Sequence, residues 1–169
     1  MLRLFIVAAY IIVCFRYGAW RRWKEYYSTY LYVIIGDLSY NFIFYYKDLW
    51  VYNKLVSHTF SDLLMAVITF PCAITLFLTY YPSASNKWRQ ALYILFWTIL
   101  NTGIEYISHR FGYMSYYNNW NILWSMGLYY IAFIMVRVHY LKPLLVWPIS
   151  FALAYITMLL FNVPLAGMK

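Results

Sequence analysis

Charge is scarce in this chain, acidic charge most of all. Of 169 residues only 5 are Asp or Glu, and charged residues make up 11% of the sequence. Soluble domains average about 25% charged and about 45–50% apolar residues, whereas this chain is 65% hydrophobic and 24% aromatic. A soluble fold of this length has too little interior to hide so much apolar surface, so a lipid bilayer is the expected solvent. Cysteine is almost absent. Cys14 and Cys72 both fall inside apolar runs, where a free thiol behaves as a small hydrophobe, so neither a disulfide nor a cysteine-based metal site is expected. Sequence motifs for common chemistries are missing too: there is no Walker glycine loop, no H-E-x-x-H and no G-x-S-x-G. No Lys lies within an apolar run, which removes the candidate for a retinal Schiff base. Glycine/serine linkers, heptad arrays and low-complexity tracts are also lacking, so residues 1–169 read as a single domain.

What is present is a series of apolar runs with basic residues at their ends. The runs cover residues 2–14, 27–46, 58–80, 88–108, 121–136 and 144–161, each reaching or approaching the roughly 20 residues that cross the hydrocarbon core. The expected fold is all-α: an integral membrane helical bundle of about six transmembrane helices, or five if the first run is peripheral. That first run resembles a signal peptide, but no A-x-A-like cleavage site follows it, and bulky basic residues do. It reads as a retained anchor. Pro71 falls in the middle of the third run and predicts a kink there.

The net charge of +8 does not point to nucleic acid, because the basic residues sit at run ends and form no exposed stripe. The connections after runs one, three and five hold eight of them (Arg16, Arg21, Arg22, Lys24, Lys87, Arg89, Arg137, Lys142), against five (Arg3, Lys47, Lys54, Arg110, Lys169) on the other side. The positive-inside rule then places the odd-numbered loops in the cytoplasm and both termini outside.

Polar residues inside the runs are the candidates for function. Asn101, Glu105 and His109 are spaced four apart and share one face of a helix. Asp37 with Asn41 and His58 with Asp62 have the same spacing. Because successive spans alternate in direction, all three stripes approach one membrane face. Three readings are open for this set. The polar groups can hydrogen-bond across helices and fix their packing. They can form a proton, ion or small-solute site, since intramembrane carboxylates commonly mark such pathways. A metal site is the least favoured, as spacing alone is weak evidence for a ligand set. No metal and no cofactor is expected.

Arg137, His139 and Lys142 form a basic segment suited to anionic lipid headgroups, although a solvated positive-inside loop explains it as well. Met114, Met126 and Met135 read as packing residues. Tyr and Trp cluster near the run ends as aromatic belts, some of which can line a groove for an apolar or quaternary-ammonium ligand.

Taken together, Trp23…Tyr27-Ser-Thr, Gly36-Asp37…Tyr40-Asn41, Leu49-Trp50, His58…Asp62-Leu-Leu, Phe70-Pro71, Tyr81-Pro82, Glu105-Tyr106…Gly112…Tyr117…Trp120 and Arg137…His139-Tyr…Lys142-Pro143-Leu-Leu span nearly the whole chain in order. As a set they resemble an uncharacterised family of small polytopic membrane proteins from Gram-positive, spore-forming bacteria. The resemblance implies a multi-pass protein of the bacterial plasma membrane or spore membrane, and no reaction.

The functional expectation is a non-enzymatic membrane protein with a buried polar site for packing or for ion and small-solute handling. The alternative is a membrane-embedded enzyme acting on a lipid or isoprenoid, with Asp62, Glu105 and His109 as acid–base candidates. Membrane lipids are the expected partners, with a homo-oligomer and a small solute or ion as further ones.

Overall fold

The computed structural model describes residues 2–17, 19–53 and 63–163. Among the described residues it is mostly helical, 78%, with six helices. Helix α1 (Leu2–Arg16) is followed by a 3-10 turn (Ala19–Arg22) and α2 (Trp23–Ile43). A short strand β1 (Trp50–Tyr52) comes next, then a π-helical turn (Met65–Thr69) that runs into α3 (Phe70–Thr79). The chain continues through α4 (Lys87–Arg110), strand β2 (Met114–Tyr116), α5 (Ile122–Leu141) and α6 (Pro143–Leu160).

The ends of these helices follow from local chemistry. Asn86 caps α4, its side chain accepting from the Arg89 amide at 3.0 Å. Asn121 caps α5 by accepting from Leu123 and Trp124, which satisfies amides that have no partner within the helix. At its other end α4 closes in a Schellman motif. Gly112 takes a left-handed φ of 73°, its amide reaches the His109 carbonyl, and the Tyr113 amide reaches the Ser108 carbonyl at 2.8 Å. Asn162, at φ 50°, ends α6 in the same way, with Val163 bonded back to Met158. No atom lies within 4 Å of where a Gly112 side chain would begin, so Gly112→Ala tests backbone strain alone. It is expected to lower stability by about 1 kcal/mol in a detergent unfolding titration.

The kink expected at Pro71 takes a specific form. Proline cannot donate to the carbonyl four residues back, and its ring crowds that carbonyl. The turn just before it, Met65–Thr69, widens to π geometry, which makes room for the ring. Thr75 then donates to the Pro71 carbonyl at 2.7 Å, and the Tyr30 hydroxyl hydrogen-bonds with the Thr75 hydroxyl.

The main core lies where α1 to α5 meet, around the fully buried Phe77. Its ring stacks on Tyr93, lies tilted against Phe133 and meets the edges of Tyr81 and Trp97. Cys14 and Cys72 belong to this core. Both are free thiols that pack in the same cluster, a proximity not visible from their positions far apart in the chain. Mild oxidation by copper phenanthroline is therefore expected to join α1 to α3 within one chain, read as a loss of two hydrogens by intact mass. Cross-linking between chains only would contradict this packing.

A second, smaller core closes one end of the bundle: Phe44, Leu49, Trp120, Met158, Phe161 and Val163. It includes an element absent from the sequence reading. Strands β1 and β2 pair antiparallel, with Trp50 opposite Tyr116 and Tyr52 opposite Met114. The Tyr117 amide to Leu49 and the Asn53 amide to Tyr113 extend the ladder at both ends. Tyr40 anchors the ribbon to α2: its ring stacks on Trp50 at 3.9 Å, and its hydroxyl accepts from the Leu49 and Trp50 amides.

Among the described residues, only α5 and α6 are both long and apolar enough to cross a membrane. Helices α2 and α4, at 21 and 24 residues, have the length, about 30–36 Å at 1.5 Å per residue. Their tyrosines, amides and terminal charges dilute the apolar character. Helices α1 and α3 are apolar but short.

Candidate functional site

Glu105 sits on α4, little more than a turn from the C-terminal end, and is 6% exposed. Both of its carboxylate oxygens are taken up by tyrosines from other elements. Tyr116 of β2 donates to Oε1 at 2.6 Å, and Tyr129 of α5 donates to Oε2 at 2.6 Å. Bonds this short are typical of hydroxyls donating to a charged acceptor. The one ion pair among the described residues is Arg22–Glu25, at 2.7 Å on the surface. Within that set, Glu105 is held by phenols rather than by a cation. Burial first, and then the Glu105 carboxylate, push the Tyr116 phenol above its ordinary value, so it stays a neutral donor throughout the physiological range.

Tyr116 also carries His109. The two rings stack at 4.4 Å and 21°, and the exposed His109 has its Nδ1 3.0 Å from the Met114 carbonyl. A carbonyl only accepts, so Nδ1 is the donor in this contact. One turn deeper than Glu105, Asn101 donates to the Trp97 carbonyl of its own helix and accepts from Tyr10 of α1 at 3.2 Å. The stripe thus meets α1 at Asn101, both β2 and α5 at Glu105, and β2 again at His109.

The remaining expected residues are placed differently. Asp37 and Asn41 lie half-buried on α2, where the Asn41 amide donates to the Asp37 carbonyl at 3.1 Å. Helix α2 packs chiefly on α3 and α5 rather than on α4. His58 and Asp62 lie outside the described residues. Among the described residues, no group of three or more His, Cys, Asp or Glu gathers where a metal ion would fit.

The basic segment at the opposite end divides. Lys142 is exposed. Arg137 reaches Ser83 at 3.0 Å and lies over the Tyr81 ring at 4.3 Å, tying the loop before α4 to α5. His139 departs from the expected headgroup contact. It is 3% exposed, stacked on Tyr32 at 4.4 Å and hydrogen-bonded to Thr29 at 3.1 Å. Two residues along a helix turn a side chain by about 200°, so Arg137 at the surface places His139 in the interior.

The three tyrosines that complete the site, Tyr10, Tyr116 and Tyr129, were not among the sequence candidates. With 21 tyrosines in the chain, nothing local separates a carboxylate's donor from a belt residue. No known protein family, curated protein or solved structure matches the chain.

Proposed function

We propose that this is a small multi-pass membrane protein, non-enzymatic, in which Glu105 and its two tyrosines lock a bundle together beneath one membrane surface. The membrane reading is supported by the exterior. Leu31, Ile35, Leu38 and Phe42 of α2, Leu92, Phe96 and Ile99 of α4, and Leu144, Phe151, Tyr155 and Leu159 of α6 are all exposed. A soluble monomer seldom shows contiguous apolar patches beyond a few hundred Å²; here the apolar exterior is spread over several helices. The basic cluster at the ends of α1, α3 and α5 would face the cytoplasm of a bacterial or spore membrane.

The observation that carries the lock is that both oxygens of a buried carboxylate are satisfied from two other elements. A buried carboxylate with each oxygen engaged by a hydroxyl from a different element joins those elements firmly. A second reading, passage of a proton or cation, draws on His109, whose exposed ring lies against the same Tyr116. The enzymatic alternative, acting on a lipid or isoprenoid, would use Glu105 and His109 as its acid–base pair. Against it, both oxygens of Glu105 are already engaged by tyrosine hydroxyls.

The test is reconstitution of wild type and Glu105→Gln in liposomes, with proton and cation flux measured beside detergent stability. A lock predicts lower stability in the variant and flux at the level of empty liposomes in both proteins. Wild-type flux that the variant abolishes while its stability is unchanged would overturn the lock in favour of transport.

A further inference from the structure

At the end of the bundle that carries the strand ribbon, a cavity of about 240 Å³ opens between the start of α5 and the end of α6. Its lining is divided. Lys47, Asn118, Asn119 and Asn162 form a polar side, and Trp124, Leu160 and Phe161 form an apolar one. The polar side is built by backbone geometry. Asn118, Asn119 and Asn162 all take left-handed φ values, 52°, 65° and 50°, in two tight turns that converge on Lys47. The Lys47 ammonium donates to the Asn162 carbonyl at 3.1 Å, which uses one of its three N–H groups and aims the others. The Asn118 amide donates to the Asp48 carbonyl at 2.7 Å, which fixes the first turn against the chain that bears Lys47. The apolar side is equally ordered: Trp124 meets Phe161 edge-on at 5.3 Å. Trp124 and Leu160 continue onto the exposed apolar faces of α5 and α6.

We propose that this cavity binds the phosphate of an anionic phospholipid headgroup, with Lys47 as its counter-charge and the acyl chains lying along Trp124 and Leu160. The inference rests on the membrane reading above. Among the described residues, Lys47 is the only charged residue in the lining, so a bound group of one negative charge is matched, and the asparagines supply neutral polar neighbours for phosphate oxygens. The volume falls below the roughly 300–1,000 Å³ of drug-sized pockets, which suits a glycerophosphate group and leaves the chains outside. A free phosphate ester would use the same ammonium but would leave the apolar wall uncovered, and for that reason the lipid is the favoured source. The site differs from the basic end of the bundle. There, many cations attract anionic lipid collectively, whereas here one cation is set in a shaped recess.

The experiment is lipid titration of the purified, delipidated protein in dodecyl maltoside, read by native mass spectrometry and by thermal unfolding. The probes are phosphatidylglycerol, phosphatidylcholine and glycerol 1-phosphate. Wild type is expected to take up one phosphatidylglycerol saturably and to unfold at higher temperature with it, while phosphatidylcholine and glycerol 1-phosphate bind much more weakly. Lys47→Gln is expected to weaken phosphatidylglycerol binding at least about fivefold. Lys47→Arg, which keeps the charge, is expected to retain it. Equal binding by Lys47→Gln and wild type would overturn the site. So would equal binding of glycerol 1-phosphate and the lipid, which would mark a soluble phosphate site instead. If the protein stays monodisperse without detergent, the membrane reading itself fails. If it needs detergent but binds lipid independently of Lys47, the headgroup site alone fails.

Discussion

Glu105→Ala is expected to cost about 2–4 kcal/mol in unfolding free energy, far more than the loss of one surface charge. The substitution removes two charge-assisted bonds at once, each contributing about 1.5–3 kcal/mol in a soluble protein. It also strands the Tyr116 and Tyr129 hydroxyls that those bonds satisfied. In a bilayer the total is reduced, because the unfolded helices find other partners for their polar groups and single side-chain bonds there average about 0.6 kcal/mol. A graded series resolves the parts. Tyr116→Phe and Tyr129→Phe each remove one donor and leave one carboxylate oxygen bare, so each should cost less than Glu105→Ala. The double Phe variant should be worse than the sum of the singles, since it leaves a buried carboxylate with neither phenol. Unfolding in dodecyl maltoside titrated with sodium dodecyl sulfate measures all four. Simple additivity would mean that the carboxylate is solvated by water and that the tyrosines are incidental.

Phe77→Ala is the second large effect, and its size reports on the solvent of the unfolded chain. Phe77 is 0% exposed and is surrounded by Tyr81, Tyr93, Trp97 and Phe133, the last with ring centroids 4.9 Å away. In a soluble protein Phe→Ala at such a site costs about 3–5 kcal/mol, part of it transfer from water and part of it the cavity left behind. If the helices remain in an apolar medium when they separate, the transfer part largely vanishes. About 2 kcal/mol should then remain from the cavity and the lost ring contacts. The same unfolding titration gives the value. A full 4–5 kcal/mol would mean that the unfolded reference exposes this region to water. Phe77→Leu, which refills most of the space, should recover more than half of the loss in either case.

Helices and their limits were largely legible, because each limit is set by residues close in sequence. Gly112 ends α4 just past the run that stops at residue 108, and Asn121 opens α5 where the next run begins. Pro71 declared a distortion, though not its form. The strand ribbon was not legible. Three residues, Trp-Val-Tyr, pair with Met-Ser-Tyr more than sixty positions away, and neither segment is long enough to show an alternating pattern. The site divides along the same line. Glu105 stood out because a carboxylate in an apolar run needs a reason. Its partners depend on a strand folding back over α4 and on the rotation of α5, neither of which is written in local spacing. His139 shows the reverse error: grouped with Arg137 and Lys142 by sequence, it belongs by helical phase with Thr29 and Tyr32 of α2.

The aromatic stack of the ribbon end also has an optical consequence. Trp50 and Trp120 lie 5.0 Å apart, and Trp120 and Trp124 lie 6.3 Å apart, close enough for their indole transitions to couple. The other tryptophans are distributed among the core and the opposite end, away from this trio. The near-ultraviolet circular dichroism spectrum should therefore carry a signal from fixed indole geometry at this one end, of the kind that disappears when specific packing loosens while helices persist. Undocking of the ribbon would erase that signal and leave the far-ultraviolet helical spectrum almost untouched. The chain thus contains a native reporter for a single local event, readable without any label.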